Sequence, residues 1–339
     1  MPRRRDILGA AVGATLSARA DGAGPGRVEV IGRRLLFRGR PIRLRGVALG
    51  DPLLGRPDRP VADFAVIAQD WAANVARLSV HPSSFKRRRS AALAALERDI
   101  RGALANGLFV IVDWHTIGWP DGWFQEPHPS WGQPGDLYDS SMAVAADFWA
   151  TVAGRYGQDG RVLFELWNEP ILHPDRPGDP VERWAALVPH WRRLLAAIRP
   201  HARNLVLLTG DRWAYDLRGI AGNRIGDPNL AFAWHVYANH DGNQPAMWRR
   251  RLGGLNLVAP VLVTEWGFAA APGLHFDGSA ATFGSAFVDL LESLTLHDTA
   301  WCWHPDWTPA MLAEDWRTPT QFGRFVRDRL RALPAPIRP

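Results

Sequence analysis

The stretch that decides the fold is Val162–Pro170, which reads VLFELWNEP. Its apolar residues form a run that suits a buried parallel strand and is too short for a helix. The run ends at Asn168, Glu169 and Pro170, and a proline can neither continue the strand ladder nor donate a hydrogen bond. An amide and a carboxylate therefore arrive at the carboxyl end of a buried strand, where ionised groups rarely lie without a partner or a task.

A second stretch, Ala259–Gly267, has the same pattern and reads APVLVTEWG. Here an apolar strand ends at Glu265, 96 residues after Glu169. The simpler interpretation of one such glutamate is a helix cap or an ion pair with an arginine. Two glutamates in the same context predict paired carboxylates that face each other across a site.

The composition is that of a globular protein. The chain has 339 residues, of which 47% are hydrophobic and 22% charged, enough for one large α/β domain and unlike a disordered chain. Seventeen tryptophans are an unusually large number, and several lie in polar, loop-like stretches. Aromatic rings beside acids and amides suit the apolar faces of sugar rings, although tryptophan is also a common core residue.

The net charge of +6 does not by itself indicate a nucleic-acid partner. Lys86 is the only lysine, and the arginines are spread along the chain. The densest internal basic run, Lys86–Arg89, comes without a nucleic-acid motif, so we expect no nucleic-acid partner. Cys302 is the only cysteine, which excludes an internal disulfide and a cysteine metal cluster.

The amino terminus has the features of an export signal. Arg3–Arg5 precedes a mildly apolar run, Ile7–Leu16, and Ala18–Ala20 gives an A-x-A-like cleavage site. Residues 1–20 thus resemble a twin-arginine signal, which implies export from a bacterial cytoplasm to the periplasm or beyond. The alternative is a short amphipathic or disordered arm. Elsewhere no apolar stretch is long enough to span a membrane.

Beyond a flexible leader at 21–26, the pattern predicts a hairpin over Arg27–Phe37 and then alternating strands and helices. Eight strands separated by helices favour a single (β/α)₈ TIM barrel over 27–332, followed by a tail at 333–339. A doubly wound sheet is the alternative. The predicted strands lie near 43–48, 75–80, 108–113, 162–167, 205–209, 230–236, 261–264 and 299–303. The predicted helices are Val61–Ala73, Ser90–Ala105, Met142–Tyr156, Val181–Ile198, Ala246–Leu252, Ala280–Leu294 and Pro319–Leu330.

Active sites of such barrels lie at the carboxyl ends of the strands. Polar, titratable or aromatic residues recur at these positions, whereas any one of them alone would more simply be structural. They are Arg77, His115, Asn168, Glu169, His235, Tyr237, Glu265 and Trp303.

Together these residues resemble glycoside hydrolase family 5, the cellulase family of the retaining barrel clan, over Arg27 to Leu330. The motifs that carry the resemblance are Leu166–Pro170, Trp234–Tyr237, Val263–Gly267 and Trp301–Trp303, in the family's order. The loop Gly50–Pro52 departs from the asparagine-and-glycine pattern that often follows the first strand.

The resemblance implies a role for each position. Glu169 would be the general acid/base and Glu265 the nucleophile. Asn168 would bond the sugar 2-OH and Arg77 would contact the nucleophile. His115, His235 and Tyr237 would complete the floor of the site, and Trp303 would be the stacking platform. No cofactor or metal is implied.

Two further acids have a different interpretation. Glu165 shares the strand parity of Glu169, and we expect it to be a buried partner of an arginine. Asp113, two residues before His115, is expected to orient its neighbours.

Substrate preference depends on the loops. Trp119, Trp123, Phe124, Trp131, Trp213 and Trp307 are each candidates for stacking on a sugar or for anchoring a loop. His81, Glu126 and Asp306 are candidates for polar contacts, which the sequence does not rank.

We expect an exported, monomeric endo-β-1,4-glucanase acting on a polysaccharide or oligosaccharide. The same machinery acting on β-mannan or another β-glycan is the alternative. A catalytically silent carbohydrate-binding barrel would not need both glutamates. A metal-dependent hydrolase built on His115 and His235 lacks an H-x-H or H-E-x-x-H pair.

Overall fold

The computed structural model describes residues 26–120, 136–171, 178–274 and 276–339, and it contains a closed barrel of eight parallel strands. Neighbouring barrel strands follow one another along the chain, and the last strand pairs with the first. The predicted (β/α)₈ fold is therefore confirmed. The barrel strands are β4 (Arg45–Leu49), β5 (Val75–Val80), β6 (Phe109–Trp114), β7 (Val162–Glu165), β8 (Val206–Thr209), β9 (Leu230–Tyr237), β10 (Val261–Gly267) and β11 (His297–Ala300).

The apolar runs of the strands are buried on both faces. Along β6, Phe109 and Ile111 contribute to a cluster inside the barrel, whereas Val110 and Val112 pack in the larger core outside it. Successive side chains of a strand point to opposite faces, so a run with no polar alternation can fill both cores.

The helices surround the strands. Most predicted helices are confirmed, and α5 begins with a capping box between Asp179 and Glu182. A short helix after β5 was not predicted. Two predicted helices are partly π-helical, over Val66–Asp70 and Ala280–Gly284. The α-helices are α1 (Ala62–Ala65), α2 (Pro82–Arg87), α3 (Arg89–Ala105), α4 (Met142–Tyr156), α5 (Pro180–Ile198), α6 (Pro245–Leu252), α7 (Ser285–Ser293) and α8 (Gln321–Ala332). Among the described residues, no helix combines the length and apolarity needed to cross a membrane.

The amino-terminal hairpin is part of a larger sheet. β1 (Val28–Ile31) pairs with β2 (Arg34–Phe37) as predicted, but β3 (Arg40–Ile42) adds a third antiparallel strand. The second turn is possible because Gly39 has a φ of +73°. The buried side of this sheet, including Phe37, packs in the same cluster as Phe109, so the sheet closes the end of the barrel opposite the strand carboxyl ends.

The eighth barrel strand differs most from its prediction. It covers His297–Ala300 rather than 299–303, and its first residues are polar yet buried. Asp298 accepts bonds from both terminal nitrogens of Arg329 on α8, at 2.6 and 2.9 Å, and from the Trp266 indole at 3.1 Å. These partners lie far away in the sequence, so local hydrophobicity gave no signal for the strand.

The ion pair between Arg329 and Asp298 yields a stability prediction. We expect Arg329→Met to lower the free energy of unfolding by about 3 kcal/mol, because it leaves a buried carboxylate without its cation. Denaturant unfolding of the two proteins measures the difference. Arg324→Met, at an exposed position of the same helix, is the matched control, and an equal loss in both variants would contradict the assignment.

Candidate active site

Arg77 lies at the centre of the strand carboxyl ends and is fully buried. Its Nε donates to Glu165 Oε2 at 2.7 Å, and its Nη1 donates to Glu265 Oε1 at 2.8 Å. Its Nη2 donates to Asn168 Oδ1 at 2.8 Å and lies 3.1 Å from Asp113 Oδ2. One guanidinium on β5 thus contacts residues of β6, of β7 and its end, and of β10. Its planar arrangement of five N–H donors makes these simultaneous contacts possible.

The two glutamates predicted to form a pair do lie together. A carboxylate oxygen of Glu169 and one of Glu265 are within 4.8 Å of each other. Both residues are buried, with 9% and 4% of their surface exposed. Besides Arg77, Glu265 has a second donor, because the Tyr237 hydroxyl donates to its Oε2 at 2.5 Å. Each oxygen of Glu265 therefore accepts one strong hydrogen bond, and the two bonds fix the orientation of the carboxyl group.

A bulge in β10 sets the orientation of Glu265. The register with β9 shifts between Val263 and Glu265, so that Thr264 is the extra residue. The Thr264 hydroxyl donates to Glu165 Oε1 at 2.8 Å, while Glu265 still contacts Arg77. Two consecutive residues of one strand thereby contribute to the same buried network, which strict alternation would not allow.

His235 connects the two halves of this network. Its Nδ1 lies 3.0 Å from Glu169 Oε1, and its Nε2 lies 3.1 Å from Thr264 Oγ1. Because the Thr264 proton goes to Glu165, Nε2 must carry a proton and donate to the Thr264 oxygen. The Nδ1 contact then holds a single proton, which His235 and Glu169 share.

The carboxyl groups differ in their electrostatic surroundings. Burial raises the pKa of Glu169, and the charge on Glu265 raises it further against the opposing hydrogen bond to His235. Burial also disfavours ionised Glu165, but the charge of Arg77 and the bonds to His235 and Arg77 lower its pKa to about 2. Glu165 is thus the buried arginine partner that the sequence predicted, and Glu169 is the group disposed to keep a proton.

His115 lies on the same floor and is oriented by an acid, as expected. Its Nδ1 is 2.7 Å from Asp113 Oδ2. Burial, together with the positive charge of neighbours such as Arg77, holds the pKa of His115 well below its usual range. The imidazole is therefore neutral and able to accept or donate one hydrogen bond.

Trp303 does not lie with the carboxylates, and the expectation that it forms the platform of the site is wrong in position. Its ring packs edge-on against Trp71, with 4.7 Å between centroids, in the core between strands and helices. Trp301 instead clusters with Tyr237 and stacks on His115, with 5.1 Å between centroids and 2° between planes. Since β11 ends at Ala300, its alternation does not extend to 303.

The other loop residues that were candidates for substrate contacts differ in their exposure. Trp119 is fully buried and anchors its loop, whereas Trp213 is 40% exposed. Trp307 is half-buried and lies nearly parallel to Trp301, with 6.0 Å between centroids. Asp306 is exposed. Trp123, Phe124, Glu126 and Trp131 lie outside the described residues.

Trp213 lies in a segment with an unusual backbone conformation. Arg212, Trp213 and Ala214 have φ angles of +57°, +56° and +57°. Left-handed conformations are unfavourable for residues with a Cβ and concentrate at functional sites. The Trp213 backbone N–H donates to the carbonyl of Pro170 at 3.1 Å, so the backbone of Trp213 is tied to the residue that follows Glu169.

Glu169, His235 and Glu265 also offer three ligand atoms within 4.8 Å of one another. Two carboxylates and one imidazole would suit a divalent cation. The same atoms already bond each other, Arg77 and Tyr237, so a metal would have to displace those contacts. The absence of a metal role stays a prediction.

A closed (β/α)₈ barrel with two buried glutamates at the ends of β7 and β10 defines a class of protein, the barrel glycosidases. The family model described as cellulase (glycosyl hydrolase family 5) matches residues 36–306. The chain belongs to this family.

Two sequence relatives are both named endoglucanases. Endoglucanase MaCel5A of Microbulbifer sp. (strain ALW1) is 25% identical over 335 residues, covering 90% of this chain and 58% of the relative. Endoglucanase E-5 of Thermobifida fusca is 27% identical over 297 residues, covering 83% of this chain and 56% of the relative. The chain thus spans little more than half the length of these relatives.

A solved structure is also similar to the chain. The β-glucanase SdGluc5_26A from Saccharophagus degradans, in complex with cellotetraose, superimposes with a TM-score of 0.80 at 26% identity. The alignment covers 91% of this chain and 93% of that structure.

The surroundings of His235 lead to a prediction about protonation. Although burial opposes its charge, Glu265 and the bonds to Glu165 and Glu169 raise the pKa of His235 to about 10. Its contribution to stability is therefore complete below about pH 6.5 and is lost as the pH rises through about 10. Glu265→Gln removes the negative charge that raises this pKa most. We therefore expect the pKa of His235 to fall in the variant, and NMR titration of the imidazole measures the change. A signal that titrates identically in both proteins would contradict this.

Proposed function

We propose that this protein is a retaining β-glycosidase that cleaves β-1,4-linked glucan as an endoglucanase. The observation that carries the proposal is the pair of buried carboxylates, Glu169 and Glu265, with oxygens within 4.8 Å. Retaining enzymes hold their two carboxyl groups about 5–5.5 Å apart, whereas inverting enzymes need about 6.5–9.5 Å to admit a water molecule. A binding protein would need no such pair.

Glu265 is the proposed nucleophile. Hydrogen bonds from Arg77 and Tyr237 hold its carboxylate in place for attack on the anomeric carbon. Attack forms a covalent glycosyl-enzyme and removes the negative charge of Glu265.

Glu169 is the proposed general acid/base. Its raised pKa disposes Glu169 to take the proton that it shares with His235 Nδ1, and from Glu169 this proton can pass to the leaving oxygen. Once Glu265 is esterified, the charge that helped to raise this pKa is gone. Glu169 has by then given its proton to the leaving oxygen. The lower pKa keeps it a carboxylate, which accepts the proton of the attacking water.

Asn168 is proposed to bind the sugar 2-OH. Its Oδ1 is already engaged by Arg77, which fixes the amide orientation and leaves the Nδ2 donors for the substrate. A bond that tightens as charge develops on the sugar would lower the barrier rather than merely improve binding.

Two aromatic residues are proposed as sugar platforms. Trp301, beside His115 and Tyr237, takes the role first expected of Trp303 and supports the reacting sugar. Trp213, exposed and tied to Pro170, supports a neighbouring unit. Several flat platforms suit an extended glucan chain.

The choice of glucan is supported by the relatives named endoglucanases and by the cellotetraose bound to the S. degradans β-glucanase. We also propose that the chain is exported by its amino-terminal signal at 1–20 and acts as a monomer. The signal itself lies outside the described residues.

The central test replaces the nucleophile. We expect Glu265→Ala to lower kcat on soluble β-1,4-glucan by about 10⁴-fold or more. The reason is that the residues of a catalytic unit act together, so that removing one of them costs about as much as removing the unit. Wild type and variant are assayed on carboxymethyl-cellulose, mannan, xylan and mixed-linkage glucan, with NMR of the product anomers. Exposed Glu314→Ala is the matched control. Near-normal hydrolysis by Glu265→Ala, or product of inverted configuration, would overturn the mechanism, and faster cleavage of mannan would overturn the substrate.

A chelator provides a test of the metal-free mechanism. We expect activity to survive prolonged dialysis against EDTA, because Glu265 and Glu169 perform the reaction through proton transfer and a covalent bond. Loss of activity that returns with an added divalent cation would instead assign Glu169, His235 and Glu265 to a metal site.

A further inference from the structure

Two histidines stand side by side at the ends of neighbouring strands. β5 and β6 are in register with Val80 opposite Trp114, and the His115 N–H donates to the Val80 carbonyl at 2.9 Å. His81 and His115 each follow the last residue of their strand, and their ring centroids are 4.6 Å apart. Of these two, only His115 belongs to the site described above.

Each of these histidines has its own aspartate. Asp113 orients His115, as described. Asp51 Oδ2 accepts the His81 backbone N–H at 2.8 Å and lies 3.5 Å from His81 Nδ1. Asp51 is 2% exposed, and its hydrogen bonds, including the one from the His81 backbone, lower its pKa against the effect of burial. Asp51 therefore faces His81 as a carboxylate.

The loop that supplies Asp51 is held in place. Asp51 Oδ1 accepts the Leu53 N–H at 2.8 Å, and the carbonyl of Gly50 accepts a bond from the buried Arg59. This is the segment where the sequence departs from the family pattern. The departure thus introduces a carboxylate fixed against a histidine.

The second ring nitrogen of His81 points to a ligand. The His81 ring is largely buried, and its Nδ1 has only the carboxylate of Asp51 nearby, at 3.5 Å, without a hydrogen bond. No hydrogen bond within the described part of the chain engages Nε2, and Nε2 is not among the buried atoms that lack a partner, so it is available to a ligand. The His81 ring lies among aromatic groups suited to a sugar. Its centroid is 4.6 Å from that of His115, 5.3 Å from that of Tyr138 and 5.8 Å from that of Trp307.

The position of His81 along its strand determines which sugar unit of a bound chain it can contact. Arg77 and His81 lie on the same extended segment, and four residues of strand span about 13 Å. Arg77 contacts Glu265 at the floor, so His81 lies toward the rim of the cleft. A group at the rim meets the sugar next to the one held between the carboxylates.

We propose that His81 is a sugar-binding residue of this cleft and that Asp51 is its positioning residue. Asp51 holds the His81 backbone and faces the Nδ1 side of the ring, so that Nε2 is left to form a hydrogen bond with a hydroxyl of the sugar adjacent to the reacting unit. The inference rests on the proposed function and adds a contact at the rim, provided by the loop after β4.

The test is a double-mutant cycle assayed with cellotetraose and carboxymethyl-cellulose. We expect His81→Ala to lower kcat/KM about 10-fold, mainly through KM, as for the loss of one hydrogen bond. His81→Gln, which keeps an acceptor, recovers part of the loss. Asp51→Asn lowers kcat/KM less, and in the His81→Ala background it has no further effect, since Asp51 acts through His81. His201→Ala, at an exposed site, is the control, and thermal unfolding verifies that each variant is folded.

The outcomes separate the inference from the proposed function. If the wild type cleaves glucan and folded His81→Ala has an unchanged kcat/KM, the inference is overturned and the function stands. Additive effects of Asp51→Asn and His81→Ala overturn the positioning role. If the wild type cleaves no glycan, the proposed function fails. In that case calorimetric binding of cellotetraose that His81→Ala weakens still supports the contact, and absence of binding overturns both.

Discussion

The buried charge of Arg77 is the interaction on which the rest of the site depends. An arginine with no exposed surface is tolerable only because carboxylates surround it. The same contacts bring together the ends of β5, β6, β7 and β10. The guanidinium therefore holds the barrel strands in register at one end and also sets the electrostatics of the cleft.

Around this cation, acids of the same chemical type have different roles. Glu165 bonds Arg77 through two oxygens and stays ionised, whereas Glu169 has no contact with Arg77 and shares a proton with His235. Glu265 lies between these extremes, with one bond from Arg77 and one from Tyr237. A nucleophile and an acid can thus coexist within one small volume because only one of them touches the arginine.

The rim of the cleft is built differently from its floor. The floor is built by strands whose geometry is rigid, whereas the rim depends on loops fixed by single contacts, such as Asp51 to His81 and Trp213 to Pro170. Loops can change without disturbing the barrel, so the rim is where substrate preference can vary on a constant catalytic floor.

The sequence by itself determined the strand-and-helix order, the two glutamate strand ends and the role of Glu165 as a partner of arginine, because buried runs and period-two alternation are local patterns. Only the tertiary structure decided that Trp301 rather than Trp303 lies at the site, that Thr264 shares the network through a bulge, and that β11 begins with buried polar residues. These features depend on register and on partners far away in the chain, such as Arg329 for Asp298, and no local pattern encodes them.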